Sequence, residues 1–222
     1  MKIIISEAQH KRLFEEEQKV LHIPDIRIFG NDWDILQRFL KSKGNPLYSL
    51  GRNLNLQETS IKSLGNLISV DGFLELRDTP IESIGNLTYV GGFLDLSNTL
   101  IESLENLTSV GGFLNLVGTP IKSLGELKEV GGRLYLGFTP IESLGKLTSV
   151  GGDFYLGFTP IESLGDLQTV GGDLDLRDIP IESLGDLQTV GGNLDLRYTP
   201  MSEKYSEEEI RQMVNVGGAI FM

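Results

Sequence analysis

Leu, Leu, Ile, Leu, Leu and Val return at the same six places every twenty residues over most of this chain, with polar residues or glycine at most positions between them. In the block GGFLNLVGTPIKSLGELKEV the six are Leu114, Leu116, Ile121, Leu124, Leu127 and Val130. Blocks starting at Gly91, Gly111, Gly131, Gly151 and Gly171 follow one another without insertion. Earlier ones start at Gly51 and Asp71 and a further one at Gly191. The shared frame is G-G-x-L-x-L-x-x-T-P-I-x-S-L-G-x-L-x-x-V. Its Leu-x-Leu pair alternates with period two, which predicts a short strand with one face buried. Gly-Gly before it and Thr-Pro after it are turn signals. Proline cannot donate to a sheet, so the strand of this block ends before Pro120. Twenty residues leave no room for a long helix as well, so the far side is expected to hold turns, short 3₁₀ pieces or a second narrow strand around Thr108 to Val110.

Six apolar side chains do not offset the backbone entropy of ordering twenty residues, so a single rung cannot fold alone. Stacking removes the difficulty, because each coil closes the core of the next and the short strands pair in parallel about 4.8 Å apart. The fold class expected is a mainly β, right-handed repeat solenoid with a helical N-terminal cap and a modified C-terminal cap.

The ends depart from the frame. SEAQHKRLFEEEQ opens with Ser6 and Gln9 in capping-box spacing and reads as a helix. Asn31 to Gly44 carries Trp33, Leu36, Phe39 and Leu40 on one side and ends in glycine. It is assigned as the helix that covers a half-repeat beginning at Leu47. Between them Asp25 to Phe29 reads as a preliminary strand. After Pro200 the frame gives way to a helix capped by Ser206 and Glu209, followed by a last strand within Val216 to Met222. The chain thus divides into 1–46 (N-terminal segment and capping helices), 47–200 (repeats) and 201–222 (C-terminal cap).

Composition narrows the function classes. Of 222 residues 27 are glycine and none is cysteine, so disulfides, thiolate metal sites and a cysteine nucleophile are absent. A net charge of -12 argues against a surface that gathers phosphate backbones, so nucleic acid is not an expected partner. No apolar run is long enough for a membrane span. The start MKIIISEAQHKR turns polar before a signal-peptide core forms, which makes the cytoplasm the default location. His10 and His22 are the only histidines, no serine sits in a nucleophile elbow, and a regular carboxylate ladder gives its members similar surroundings. The chain is therefore expected to be no enzyme and to need no cofactor or metal.

Leu114-x-Leu116-x-x-Thr119-x-Ile121 resembles the leucine-rich repeat, with Thr where that family usually has Asn. The turn V-G-G-x-L-x-L, preceded by S-L-x-x-L-x-x-V, looks more like the β-helix-like repeat of receptor L domains. The resemblance spans about residues 47–200. It implies a solenoid that presents a binding surface and a partner that is another protein. It also implies a threonine hydroxyl capping a backbone group of the neighbouring coil.

If the frame is scaffold, function belongs at the variable outward positions around each Leu-x-Leu. Stacking lines these up in columns. One carries Phe73, Phe93 and Phe113, the next Tyr135 and Tyr155, with Phe138 and Phe158 at the strand ends and Arg177 and Arg197 on the C-terminal rungs. These nine residues are the candidate binding set, on a chain expected to be monomeric unless it is part of an assembly. The competing reading is that stacked aromatics only stabilise neighbouring strands. Glu82, Glu102, Glu142, Glu162 and Glu182 form an acidic column, and a further column gathers Asp173, Asp175, Asp195 and Asn193, with Arg177 and Arg197 nearby to neutralise charge. A solvated charged face is favoured there over a Ca²⁺ site. The column from Thr59 to Thr199 reads as structural rather than as an ice-binding hydroxyl ladder. Asn86 and Asn106 fit the glycosylation pattern, here an accident of the repeat. Alternatives to protein recognition are a structural part of a larger assembly, such as a virion or surface array, and a divalent-cation or glycan binder.

Overall fold

A computed structural model describes residues 20–222, so the helix expected in 6–18 lies outside the described residues. The chain coils as a mainly β solenoid around two parallel sheets. One has ten strands and the other nine. The nine-stranded sheet is built from the Leu-x-Leu segments, now two residues each, such as Leu114–Asn115 and Leu134–Tyr135. The ten-stranded sheet is built from the valine corner, where, of the turns, 3₁₀ pieces or second strand expected, Ser109–Val110 is a strand. Register is one residue to its equivalent twenty later: Leu114 pairs with Leu134, Leu134 with Phe154, and Val110 with Val130. A third side carries isolated parallel bridges, such as Ser103 to Ser123 and Ser123 to Ser143.

The six apolar positions of a rung, Leu114 to Val130 in the first example, are fully buried in one continuous core. Close stacking sets the Gly-Gly corner. A Cβ on Gly111 would lie 2.2 Å from the Gly91 carbonyl oxygen, and one on Gly131 would lie 2.3 Å from that of Gly111. The Ser-x-Gly corner is local chemistry, since the Ser123 hydroxyl oxygen accepts a hydrogen bond from the Gly125 N–H at 3.1 Å.

The threonines correct one expectation. Thr79, Thr99, Thr119, Thr139, Thr159 and Thr199 are buried, and each hydroxyl donates to a leucine carbonyl three residues back in its own coil, as Thr139 does to Leu136 at 2.6 Å. The bond closes the strand-end turn within a rung and does not bridge rungs, because the residue after the strand turns the chain back on itself. Buried hydroxyls cannot form a flat outer ladder.

At the N-terminal end of the described residues Leu21–Ile23 is a strand that pairs with Tyr48–Leu50. The segment expected as a strand at Asp25–Phe29 is instead a 3₁₀ turn, Ile26–Phe29. Asp25, just after Pro24, accepts the Arg27 N–H with its side chain, and Gly30 at φ 69° closes the turn, so the backbone groups a strand would offer are used locally. Helix α1, Trp33–Ser42, is capped by Asp32 and lays Leu36 and Leu40 over the core. Gln37 donates to the Tyr48 hydroxyl, which donates to the Leu64 carbonyl; burial raises the Tyr48 phenol pKa far above its ordinary value.

At the other end a short helix α2, Pro200–Lys204, precedes the expected helix α3, Glu207–Met213. Thr199 and Ser202 cap α2 reciprocally, a pattern hidden in the sequence because Thr-Pro elsewhere closes a turn. The last strand is two: Asn215–Val216 joins the ten-stranded sheet and Ile220–Phe221 the nine-stranded one, on either side of Gly217 and Gly218. Arg211 donates to the carbonyls of Val216 and Gly218 and so occupies acceptors of the final rung. No helix among the described residues is long and apolar enough to cross a membrane.

Candidate binding face

The outer surface of the nine-stranded sheet gathers the aromatic candidates. Phe73, Phe93 and Phe113 stack face to face with centroids 4.6 Å apart at both steps and interplanar angles of 7° and 4°. The row then shifts one column: Phe113 meets Tyr135 edge-on at 6.4 Å, and Tyr135 stacks on Tyr155 at 5.1 Å. Five rings thus form one ribbon over five rungs. Phe138 and Phe158 form a separate stack at 4.8 Å.

The two groups differ in burial and backbone. The five-ring ribbon is half-buried, whereas Phe138 is 72% and Phe158 55% exposed. Both latter residues have left-handed backbones, at φ 62° and 63°. Their column runs Glu58, Asp78, Asn98, Gly118, Phe138, Phe158, Asp178, Tyr198, and every member has positive φ. Asp, Asn and Gly are the residues that visit this region easily; a bulky aromatic there is strained by on the order of 1–2 kcal/mol. Tyr198, 77% exposed, belongs to the column and was missed by sequence reasoning. Its signal was the frame position it shares with Phe138.

Between the tyrosine and phenylalanine columns lie Gly137 and Gly157. A Cβ on Gly137 would come no closer than 3.3 Å to the Gly157 carbonyl oxygen, and one on Gly157 would stand 3.5 Å from that of Arg177. Neither glycine is left-handed, and other rungs hold Gln57, Arg77, Ser97, Val117, Arg177 and Arg197 at the same place. The backbone does not demand these two glycines, and their effect is an open floor between two aromatic walls.

Charges around this floor are largely paired. The Tyr155 hydroxyl donates to Asp153, 3.2 Å away, and Arg133 pairs with the same carboxylate at 2.9 Å. The Asp173 N–H donated to Asp153 is the main reason that its carboxyl is held below the usual range; burial, and then Asp153, push the Tyr155 phenol up. Arg177 binds Asp175 through two nitrogens, at 2.9 and 2.6 Å. Arg197 pairs with Asp195 and lies over the Phe221 ring at 5.5 Å. Burial pushes the Asp195 carboxyl up, but the Arg197 hydrogen bonds outweigh it and leave the group below its ordinary value. Both candidate guanidiniums are therefore paired with carboxylates of this chain while staying partly exposed.

A second arrangement lies in the same column scheme, but its burial was not legible in the sequence. Asp95 is buried beside the phenylalanine stack, accepting the N–H and hydroxyl of Ser97 at 2.9 and 2.7 Å and the Asn115 amide at 3.3 Å. Glu75 is its neighbour one rung earlier, and burial first, then the Asp95 charge, raise its carboxyl above the ordinary range. Only the pairing of rungs brings the two together.

The glutamate column from Glu82 to Glu182 is exposed on the third side. Asp173 accepts the Asn193 N–H at 2.7 Å, and among the described residues no three His, Cys, Asp or Glu side chains group to hold a metal ion. His22 lies 3.0 Å from the Ser49 hydroxyl, and His10 is outside the described residues. Asn86 donates to the Asn66 side chain and Asn106 to the Gly85 carbonyl. The chain matches no protein-family model and no curated protein.

Proposed function

We propose that this chain is a noncatalytic recognition module of leucine-rich-repeat type, nearest in its turn pattern to receptor L domains, which captures a protein partner on the outer face of its nine-stranded sheet. The observation that carries the reading is the placement of Phe138 and Phe158: two exposed aromatic side chains on left-handed backbone, where neighbouring rungs use Asp, Asn or Gly. Strain persists where the surroundings hold it, and it collects at functional positions. Exposed aromatics beside an open floor are also the residue types that anchor protein interfaces.

The phenylalanine ribbon plays a different part. Phe93 has both ring faces covered by Phe73 and Phe113, so it offers solvent only an edge. That suits strand stabilisation and does not suit a sugar ring, which needs a free aromatic face. The ribbon is therefore a poor glycan platform, while the exposed Phe138–Phe158 pair is a separate stack and does not share this limit.

The test is capture by immobilised protein. Wild-type chain should retain a stoichiometric partner that a variant with Tyr135→Ser, Phe138→Ser, Tyr155→Ser and Phe158→Ser loses while its circular dichroism stays native. Equal capture by a folded variant overturns the proposal.

A further inference from the structure

We infer that the partner docks a short basic segment on the Phe138–Phe158 ledge, with its apolar side chains on the aromatic walls and its cations toward Glu142 and Glu162. This rests on the recognition reading above and adds the chemistry of the ligand. Gly137 and Gly157 precede the two rings in the chain, and Pro140 and Pro160 lie two residues after them, leading to Glu142 and Glu162 on the third side of the coil. A cleft of about 590 Å³ is lined there by Glu142, Ser143, Pro160, Glu162 and Ser163 among others.

The charges bordering the ledge decide the occupant. On the floor side Asp153 is matched by Arg133, and Asp175 by Arg177. On the cleft side Glu142 and Glu162 are exposed in a run of three glutamates, with Lys122 one rung before it and Lys204 near Glu182 at its end. The border left over is acidic. A guanidinium or ammonium group is attracted both to such carboxylates and to the exposed faces at the ends of an aromatic stack. A second copy of the chain is disfavoured as the occupant, since each copy brings a net charge of -12.

Two fluorescein-labelled peptides test this, one alternating leucine with lysine and the other leucine with glutamate, titrated into the full chain and followed by fluorescence anisotropy. The lysine peptide should bind, at least tenfold more tightly than the glutamate peptide. Phe138→Asp with Phe158→Asp should weaken it at least tenfold, in a fold that already accepts Asp78 and Asp178 in that column. Glu142→Gln with Glu162→Lys should also weaken it at least tenfold, with thermal melts confirming that both variants fold. No binding of the lysine peptide, equal binding of the glutamate peptide, or indifference to the glutamate substitutions overturns the inference. If the serine variant still loses its partner in the capture experiment, the recognition reading stands without it. Sedimentation showing a dimer that Phe138→Asp with Phe158→Asp dissolves would assign the ledge to a second copy and likewise overturn the inference.

Discussion

Phe138 and Phe158 stack with centroids 4.8 Å apart on consecutive rungs, each on a backbone at φ near 60°. The pair gains from stacking but sits where L-residues with bulky side chains are strained. Relief at two sites is worth on the order of 2–4 kcal/mol and the lost stack about 0.5–1.5 kcal/mol. Phe138→Asn with Phe158→Asn should therefore stabilise the chain by about 0.5–3.5 kcal/mol, read as a higher urea midpoint, while removing partner capture. A lower midpoint would show that the two rings belong to the scaffold.

Phe93 should behave in the opposite way. It stacks on both Phe73 and Phe113, and Phe93→Ala removes two aromatic contacts at once. Destabilisation of about 2 kcal/mol is expected, with capture by the ledge retained. Chemical denaturation measures the first and the capture assay the second.

Two glycines near each other in sequence should respond differently to the same change. Gly131→Ala places a Cβ 2.3 Å from the Gly111 carbonyl oxygen, which forces the rungs apart and should cost about 3 kcal/mol. Gly137→Ala meets the Gly157 carbonyl oxygen at 3.3 Å, a tight contact that a small shift relieves, at a place where other rungs carry Ser97 or Val117, so the cost should stay below about 1 kcal/mol. Partner binding should nevertheless weaken as the floor is raised.

Glu75 and Asp153 should shift stability with pH in opposite senses. Burial, then Asp95, raise the Glu75 carboxyl, so its stabilising contribution is complete below the ordinary carboxylate range and is lost as pH rises through the raised value. Glu75→Gln should thus raise Tm at pH 7 and leave it unchanged near pH 3. The Asp153 carboxyl is held low, chiefly by the Asp173 N–H, so its contribution is present above the ordinary range and lost as pH falls through the depressed value. Asp153→Asn should lower Tm at pH 7, and the deficit should shrink on acidification. Thermal melts across this range compare the two variants directly.

The twenty-residue frame alone determined the solenoid and the buried leucines, because a strict period places equivalent residues at equivalent heights and one rung cannot bury its own apolar face; it left a narrow strand at Ser109–Val110 as one of several options for the far side, and the structure chose it. Ser206 and Glu209 likewise announced their helix through a local capping pattern. Tertiary structure decided what depends on a partner elsewhere in the chain or on a dihedral angle. Asp78, Asn98, Gly118 and Asp178 hint at a left-handed frame position that Tyr198 shares, but Phe138 and Phe158 themselves carry no such signal, and only the dihedral angles show that they adopt it. The bond of the threonines, the burial of Asp95 and the bidentate hold of Arg177 on Asp175 follow from which atoms a rung turns toward its own turn, its neighbour or solvent. Periodicity specifies that rungs stack; the direction of each polar group is settled only when the neighbouring backbone is in place to meet it.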